Sequence, residues 1–218
     1  MCPKRIDLYS SILVNRPNSV LEVGCGMGEF QAPFVEAGIR WRGIDINADM
    51  VSIANRCGVP VELADFTRFH PGELFDVVYC SQVLEHSLEP HSFVEQANSV
   101  LRPGGLLHID VPNHRSLTAL LRKLNPWSHQ YGFLQPPHHL IAYHTGTLSS
   151  LLQHHGFSVR KLTVHQNNDP VVGQPGASTR AMTRIVYAVS GLLGAGSLLV
   201  AMCQKQLHAG SSGLVHTE

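Results

Sequence analysis

Three carboxylates punctuate the first third of the chain, each inside or at the end of a short apolar run: Glu22, Asp45 and Asp65. Gly24, Gly26 and Gly28 follow the first of them in the spacing G-x-G-x-G. Glycines at a strand end let a ligand approach bare backbone. The dinucleotide fingerprint is spaced G-x-G-x-x-G, so this is a different loop. Asp45, closing the next run, could accept hydrogen bonds from the paired hydroxyls of a ribose, and Asp65 could accept from an exocyclic amine. Acids at three consecutive strand ends would repel a pyrophosphate, so the pattern suits a nucleoside without phosphates. Plainer roles compete: Glu22 as a satisfied structural acid, Asp45 as the cap of the Ala48-Asp49-Met50 turn, and Asp65 as a turn residue.

These residues need a scaffold that brings successive strand ends to one edge. Short β-rich runs alternate with helical patterns, the order of a mostly parallel sheet covered on both faces. The expected strands are Ser19 to Gly24, Trp41 to Ile46, Val61 to Ala64, Phe75 to Cys80, Leu106 to Val111, Ser158 to Val164 and Ser197 to Cys203. Phe93, Ala97, Val100 and Leu101 recur at helical spacing before the stop signal Arg102-Pro103-Gly104-Gly105. Leu148, Leu151 and Leu152 form a second helical stripe closed by Gly156. The segment from Asn113 to Ala142 carries Pro126, Pro136 and Pro137, and is too long for an ordinary connection.

Composition bounds the partners. With 44% hydrophobic and 15% charged residues in 218, the chain can bury one good core. Sixteen basic and sixteen acidic residues cancel, which gives no general attraction to nucleic acid. The five cysteines form no C-x-x-C pair, as in a reducing compartment, and Met1 to Ser11 lacks a continuous apolar stretch of signal type. A cytoplasmic location is expected.

The ordered motifs resemble those of class I S-adenosylmethionine (SAM)-dependent methyltransferases. Glu22-Val23-Gly24-Cys25-Gly26-Met27-Gly28 resembles the family's first motif, Gly43-Ile44-Asp45-Ile46 its second and Ala64-Asp65-Phe66 its third. Phe75-Asp76-Val77-Val78, Val83-Leu84-Glu85-His86 and Leu101-Arg102-Pro103-Gly104-Gly105 match the fourth strand and the turn into the fifth. The resemblance implies a Rossmann-like, seven-stranded α/β sheet, mostly parallel with an antiparallel last strand. It implies SAM as cofactor, with its methionine part on Gly24, Cys25, Gly26 and Gly28, and Glu22 bracing the loop and reaching toward the cofactor's amino end. Asp45 would hold the ribose and Asp65 the adenine amine. Ile46, Met50, Ala64 and Phe66 would line the pocket, with Met27 as a further wall, and Ser81 and Gln82 would form the rim near the sulfonium. Asp76 and Asp110 are read as structural.

In the second half, Pro136-Pro137-His138-His139-Leu140 before the leucine helix resembles a bacterial subgroup acting on small molecules, among them glycans, lipids, quinones and secondary metabolites. Methyl transfer to a hydroxyl needs a base, and imidazole suits it. His139 matches the subgroup's position; His86 and His138 are further candidates, and His154 and His155 are expected to be solvated. A metal site from His138, His139 and His144 lacks a suitably spaced cysteine or carboxylate, so no metal is expected.

Residues 185–203 contain no charge, but Gly191, Gly194 and Gly196 divide them. They suit a buried helix to about Leu193, a turn and a final strand antiparallel beside the sixth, better than a membrane span. The expectation is one domain over 1–207, with an irregular substrate or lid insert at about 113–145 and a flexible tail over 208–218. Its function would be methyl transfer to a small-molecule hydroxyl, with no nucleic-acid partner. The alternatives are nitrogen or carboxyl methylation, a membrane-associated enzyme on a lipid-linked acceptor, and a non-catalytic SAM-binding module.

Overall fold

The computed structural model describes residues 12, 14, 16–124, 134, 139–165, 186, 188–190 and 192–207. His138 and the expected tail over 208–218 lie outside them, as does part of the expected insert. The seven strands are β1 (Ser19–Val23), β2 (Arg40–Asp45), β3 (Val61–Leu63), β4 (Phe75–Ser81), β5 (Leu101–Pro112), β6 (Phe157–His165) and β7 (Leu198–Lys205). They form one sheet in the order β3-β2-β1-β4-β5-β7-β6. Pairing is parallel from β3 to β5, and β7 runs antiparallel to both β5 and β6. This is the Rossmann-like methyltransferase sheet.

Every residue of β1 is buried, as a central strand covered on both faces requires. Alternation sorts its side chains. Leu21 and Val23 join Val78, Cys80 and Leu107 in one core, whereas Val20 joins Val77, Tyr79 and Phe34 in another across the sheet. The helices that cover the sheet are α1 (Gln31–Glu36), α2 (Ala48–Arg56), α3 (Pro90–Val100), α4 (Leu117–Leu124) and α5 (Thr145–His154). Helix α3 starts with proline at its first turn and buries Phe93, Val94, Ala97 and Val100. The His144 ring caps α5 through Nδ1, accepting from the amides of Gly146 and Thr147, and Leu148, Leu151 and Leu152 are buried.

The fifth strand starts earlier than expected, and the last strand stands antiparallel beside the sixth as expected. β5 begins at Leu101, which pairs with Phe75, before an irregularity resets the register to Val77 opposite Leu106. The expected stop signal does end the helix, at Val100, and Arg102 to Gly105 then bulge out of the strand opposite Asp76, with Gly104 at φ +76°. The last strand is shifted to Leu198–Lys205 and is inserted between β5 and β6. No helix among the described residues is long and apolar enough to cross a membrane.

Candidate active site

The carboxyl ends of β1, β2 and β4 meet at the glycine loop. The amides of Gly24 and Cys25 both donate to the Ile44 carbonyl, at 2.9 and 3.1 Å, so the loop is fixed to β2. Gly24 has φ +69°, and a Cβ there would run into Val83 Cγ2. Only glycine meets both demands, and the contact packs the loop against the segment that follows β4. At Gly26 (φ +58°) no atom lies within 4 Å of where a Cβ would stand, so its backbone faces open space.

Asp45 spans this loop and the next helix: Oδ2 accepts from the Gly26 amide at 2.7 Å and Oδ1 from the Asn47 amide at 2.8 Å. It is not the helix cap; Asn47 caps α2, accepting from the amides of Asp49 and Met50. Each Asp45 oxygen keeps acceptor capacity for a hydroxyl. Glu22 is 3% exposed and accepts from the Trp41 indole nitrogen at 2.8 Å. Asp65 caps a short 3-10 turn, with Oδ1 accepting from the Thr67 amide and hydroxyl. The open backbone at Gly26, beside a carboxylate with acceptor capacity left, fits a nucleoside cofactor.

The remaining expected pocket residues divide by burial. Ile46 and Met50 are exposed near the open edge. Phe66 is buried in the main core, edge-on to Phe93, with half-buried Ala64 packed on the same core. The Cys25 side chain is buried with Val51, Ala54 and Val61, so only its backbone borders the open space. Burial first, then the charges of Glu22 and Asp45, pushes its thiol up to about 12. The Ser81 hydroxyl lies 2.7 Å from both Asp110 oxygens, and the Gln82 amide donates to the Asp110 carbonyl. Gln82 is held at φ +56°, and its side-chain Nε2 is buried without a hydrogen-bond partner among the described residues. A non-glycine residue in this strained region with an unsatisfied amide beside an open site points to a ligand contact.

Beyond Gln82, the turn Leu84–His86 carries the histidine region. The Glu85 carbonyl accepts from the amides of Leu140 (2.9 Å) and Ile141 (3.2 Å), which fastens the segment after His139 onto this turn. The rings of His86 and His139 consequently stand edge to face with centroids 4.9 Å apart. The Glu85 side chain is 1% exposed, and neither of its oxygens has a hydrogen-bond partner among the described residues. His86 Nε2 lies 3.8 Å from its Oε1. Burial, with Asp110 adding to it and its own backbone amide opposing, raises the Glu85 carboxyl to about 8. Tyr143 has a buried hydroxyl with no partner among the described residues, and burial followed by the charge of Glu85 pushes it above the usual phenol range. One ligand atom each from Glu85, His86 and His139 lies within 4.8 Å of the others, close enough to share a divalent cation.

The sequence expectation thus named both members of the histidine pair but not the carboxyl and phenol behind it. Glu85 stood in a quoted motif with no role, and Asp110, read as structural, anchors the Ser81-Gln82 rim. Asp76 is structural as expected, accepting from Asn18, Ser19 and Arg102. His144, weighed as a metal ligand, is committed to capping α5.

A model of the methyltransferase domain family matches residues 2–162. A ubiquinone biosynthesis O-methyltransferase from Glaesserella parasuis is 32% identical over 114 residues, 47% of this chain and 48% of that protein. One from Chromobacterium violaceum is 27% identical over 199 residues, 82% of this chain and 85% of its own. The chain spans about half the length of most of the curated relatives it matches. Among solved structures, a SAM-dependent methyltransferase from Archaeoglobus fulgidus superposes with a TM-score of 0.62 at 20% identity, covering 91% of this chain and 94% of that one. From the motif order, the sheet topology and the family match, the chain belongs to the methyltransferase domain family, the class I SAM-dependent methyltransferases.

Proposed function

We propose that the protein methylates a hydroxyl oxygen of a small molecule, with His139 as the proton acceptor and His86 beside it. The observation that carries this reading is the edge-to-face pair of imidazoles next to the Gln82 rim. The O-methyltransferase relatives support oxygen as the methylated atom. When bound, SAM supplies a methyl group made electrophilic by its sulfonium. Gly26 and Asp45 bind its nucleoside and methionine parts, and Gln82 bounds the side toward the acceptor. Burial of Glu85 and Tyr143 keeps water from the floor of the histidine pair. His139 would take the proton of the acceptor hydroxyl on a ring nitrogen as that oxygen is methylated.

Calorimetry with S-adenosylhomocysteine tests the cofactor half. Wild-type protein should bind, and Asp45→Ala should weaken binding by about 1–3 kcal/mol, the usual effect of leaving buried polar groups unpaired. Absence of wild-type binding ends the reading. A screen of hydroxylated metabolites then supplies an acceptor. With it, His139→Ala should retain cofactor affinity and lose about 10²-fold in turnover at saturating cofactor. Unchanged turnover would move the base elsewhere.

A further inference from the structure

Away from the cleft, a second group of histidines converges on the outer surface. His91 lies in the first turn of α3, while His154 ends α5 and His155 caps it. Helices α3 and α5 pack side by side, so residues distant in sequence share one patch. His91 Nδ1 stands 3.0 Å from His155 Nε2. The ring centroids are 5.2 Å apart for His91 and His155, 5.8 Å for His91 and His154, and 5.0 Å for His154 and His155. One ring nitrogen from each lies within 4.8 Å of the others.

The geometry points to a transition-metal site formed by His91, His154 and His155, of the kind that takes Zn²⁺. A tetrahedral zinc bound to imidazoles at about 2.0–2.1 Å sets its ligand nitrogens about 3.3 Å apart. The closest pair already has that spacing to within a few tenths of an ångström, and a nitrogen of the third ring lies within 4.8 Å of both. Three imidazoles suit zinc, copper, nickel or cobalt and are poor ligands for magnesium or calcium. Glu95 lies one turn after His91 on the same face of α3. The support behind His155 is built: the Asn98 side chain donates to the His155 carbonyl at 2.9 Å.

The placement has a mechanical consequence. Helix α3 follows the turn that carries His86, and α5 follows the segment that carries His139. A metal bridging their outer ends would tie together the two elements that supply the two halves of the histidine pair.

The test is direct titration of the full chain, stripped of metal, with Zn²⁺ in calorimetry and with Co²⁺ in visible absorption. Wild-type protein should bind one Zn²⁺ tightly at this site, give the intense visible bands of tetrahedral cobalt, and melt at higher temperature with zinc. His91→Ala and His155→Ala should each weaken that binding at least tenfold and abolish the cobalt bands, with helix content unchanged by circular dichroism. His139→Ala, which alters the cleft cluster of Glu85, His86 and His139, serves as the control and should leave both signals intact. Binding that survives His91→Ala and His155→Ala but is lost in His139→Ala would overturn the proposal and assign the metal to the cleft. Absence of any tight binding would overturn it as well.

Discussion

Glu85 should make the protein less stable as the solution turns alkaline. Its folded-state pKa is about 8 against an ordinary 4.5. Between those values the folded protein holds a proton that the unfolded chain has released, so stability is fully present below 4.5 and is lost as pH rises to 8. At 1.36 kcal/mol per unit, the loss is about 5 kcal/mol. His108, 0% exposed and lowered by burial from 6.5 to about 4, acts in the opposite sense. There the unfolded chain holds the extra proton, so stability is lost as pH falls from 6.5 to 4, by about 3 kcal/mol. The two windows overlap and oppose each other below 6.5. Between 6.5 and 8 only Glu85 acts of the two, and the wild type should lose about 2 kcal/mol there. Glu85→Gln removes the titration whatever it does to absolute stability. Urea unfolding at pH 6.5, 7.25 and 8, extrapolated to water, reads the slope directly. A Gln variant with the wild-type slope, or a wild type whose stability rises over this interval, would refute an uncharged Glu85.

Other perturbations follow from the same geometry. Gly24→Ala sets a methyl group against Val83 at a positive φ; it should cost about 1–3 kcal/mol in thermal or urea unfolding and weaken S-adenosylhomocysteine binding by displacing the loop. His144→Ala removes the acceptor for two amides of α5 and should cost about 1 kcal/mol, read in the same unfolding assay. Deleting the segment from Leu198 onward leaves β5 and β6 with facing unpaired edges, and the product should aggregate in size-exclusion chromatography where the full chain does not.

The sheet was legible because its strands announce themselves locally. The β1 run is apolar apart from Ser19 and Glu22, and Asp45 and Asp65 stand at or just past the strand ends their spacing implied. The helix stop at Arg102-Pro103-Gly104-Gly105 was legible, but the pairing of Leu101 with Phe75 ahead of that bulge was not, since it depends on the partner strand. The carboxyl floor was hidden for a different reason. Nothing in Val83-Leu84-Glu85-His86 says that Glu85 is buried, since its burial depends on Leu140 and Ile141 bonding to its carbonyl. His154 is exposed as expected and His155 half-buried, but a helical stripe shows only which face is outward and not what a neighbouring helix presents there. His91 is that neighbour, and no spacing in the sequence connects them.

The position of β7 sets the order in which the domain can be completed during synthesis. The parallel half, β1 to β5, can assemble as soon as it is made. β6 emerges before β7, yet among the described residues its only strand neighbour is β7, so it must wait while Leu199 reaches Val111 and Cys203 reaches Leu107. Closing so long a loop is slow. Until then the nascent chain carries an open slot at β5 that will accept any extended segment of suitable pattern, including β7 of another molecule. Crowding of nascent chains on one message should therefore favour exchanged dimers joined through this slot, and a lower synthesis temperature or sparser ribosome loading should favour the closed monomer.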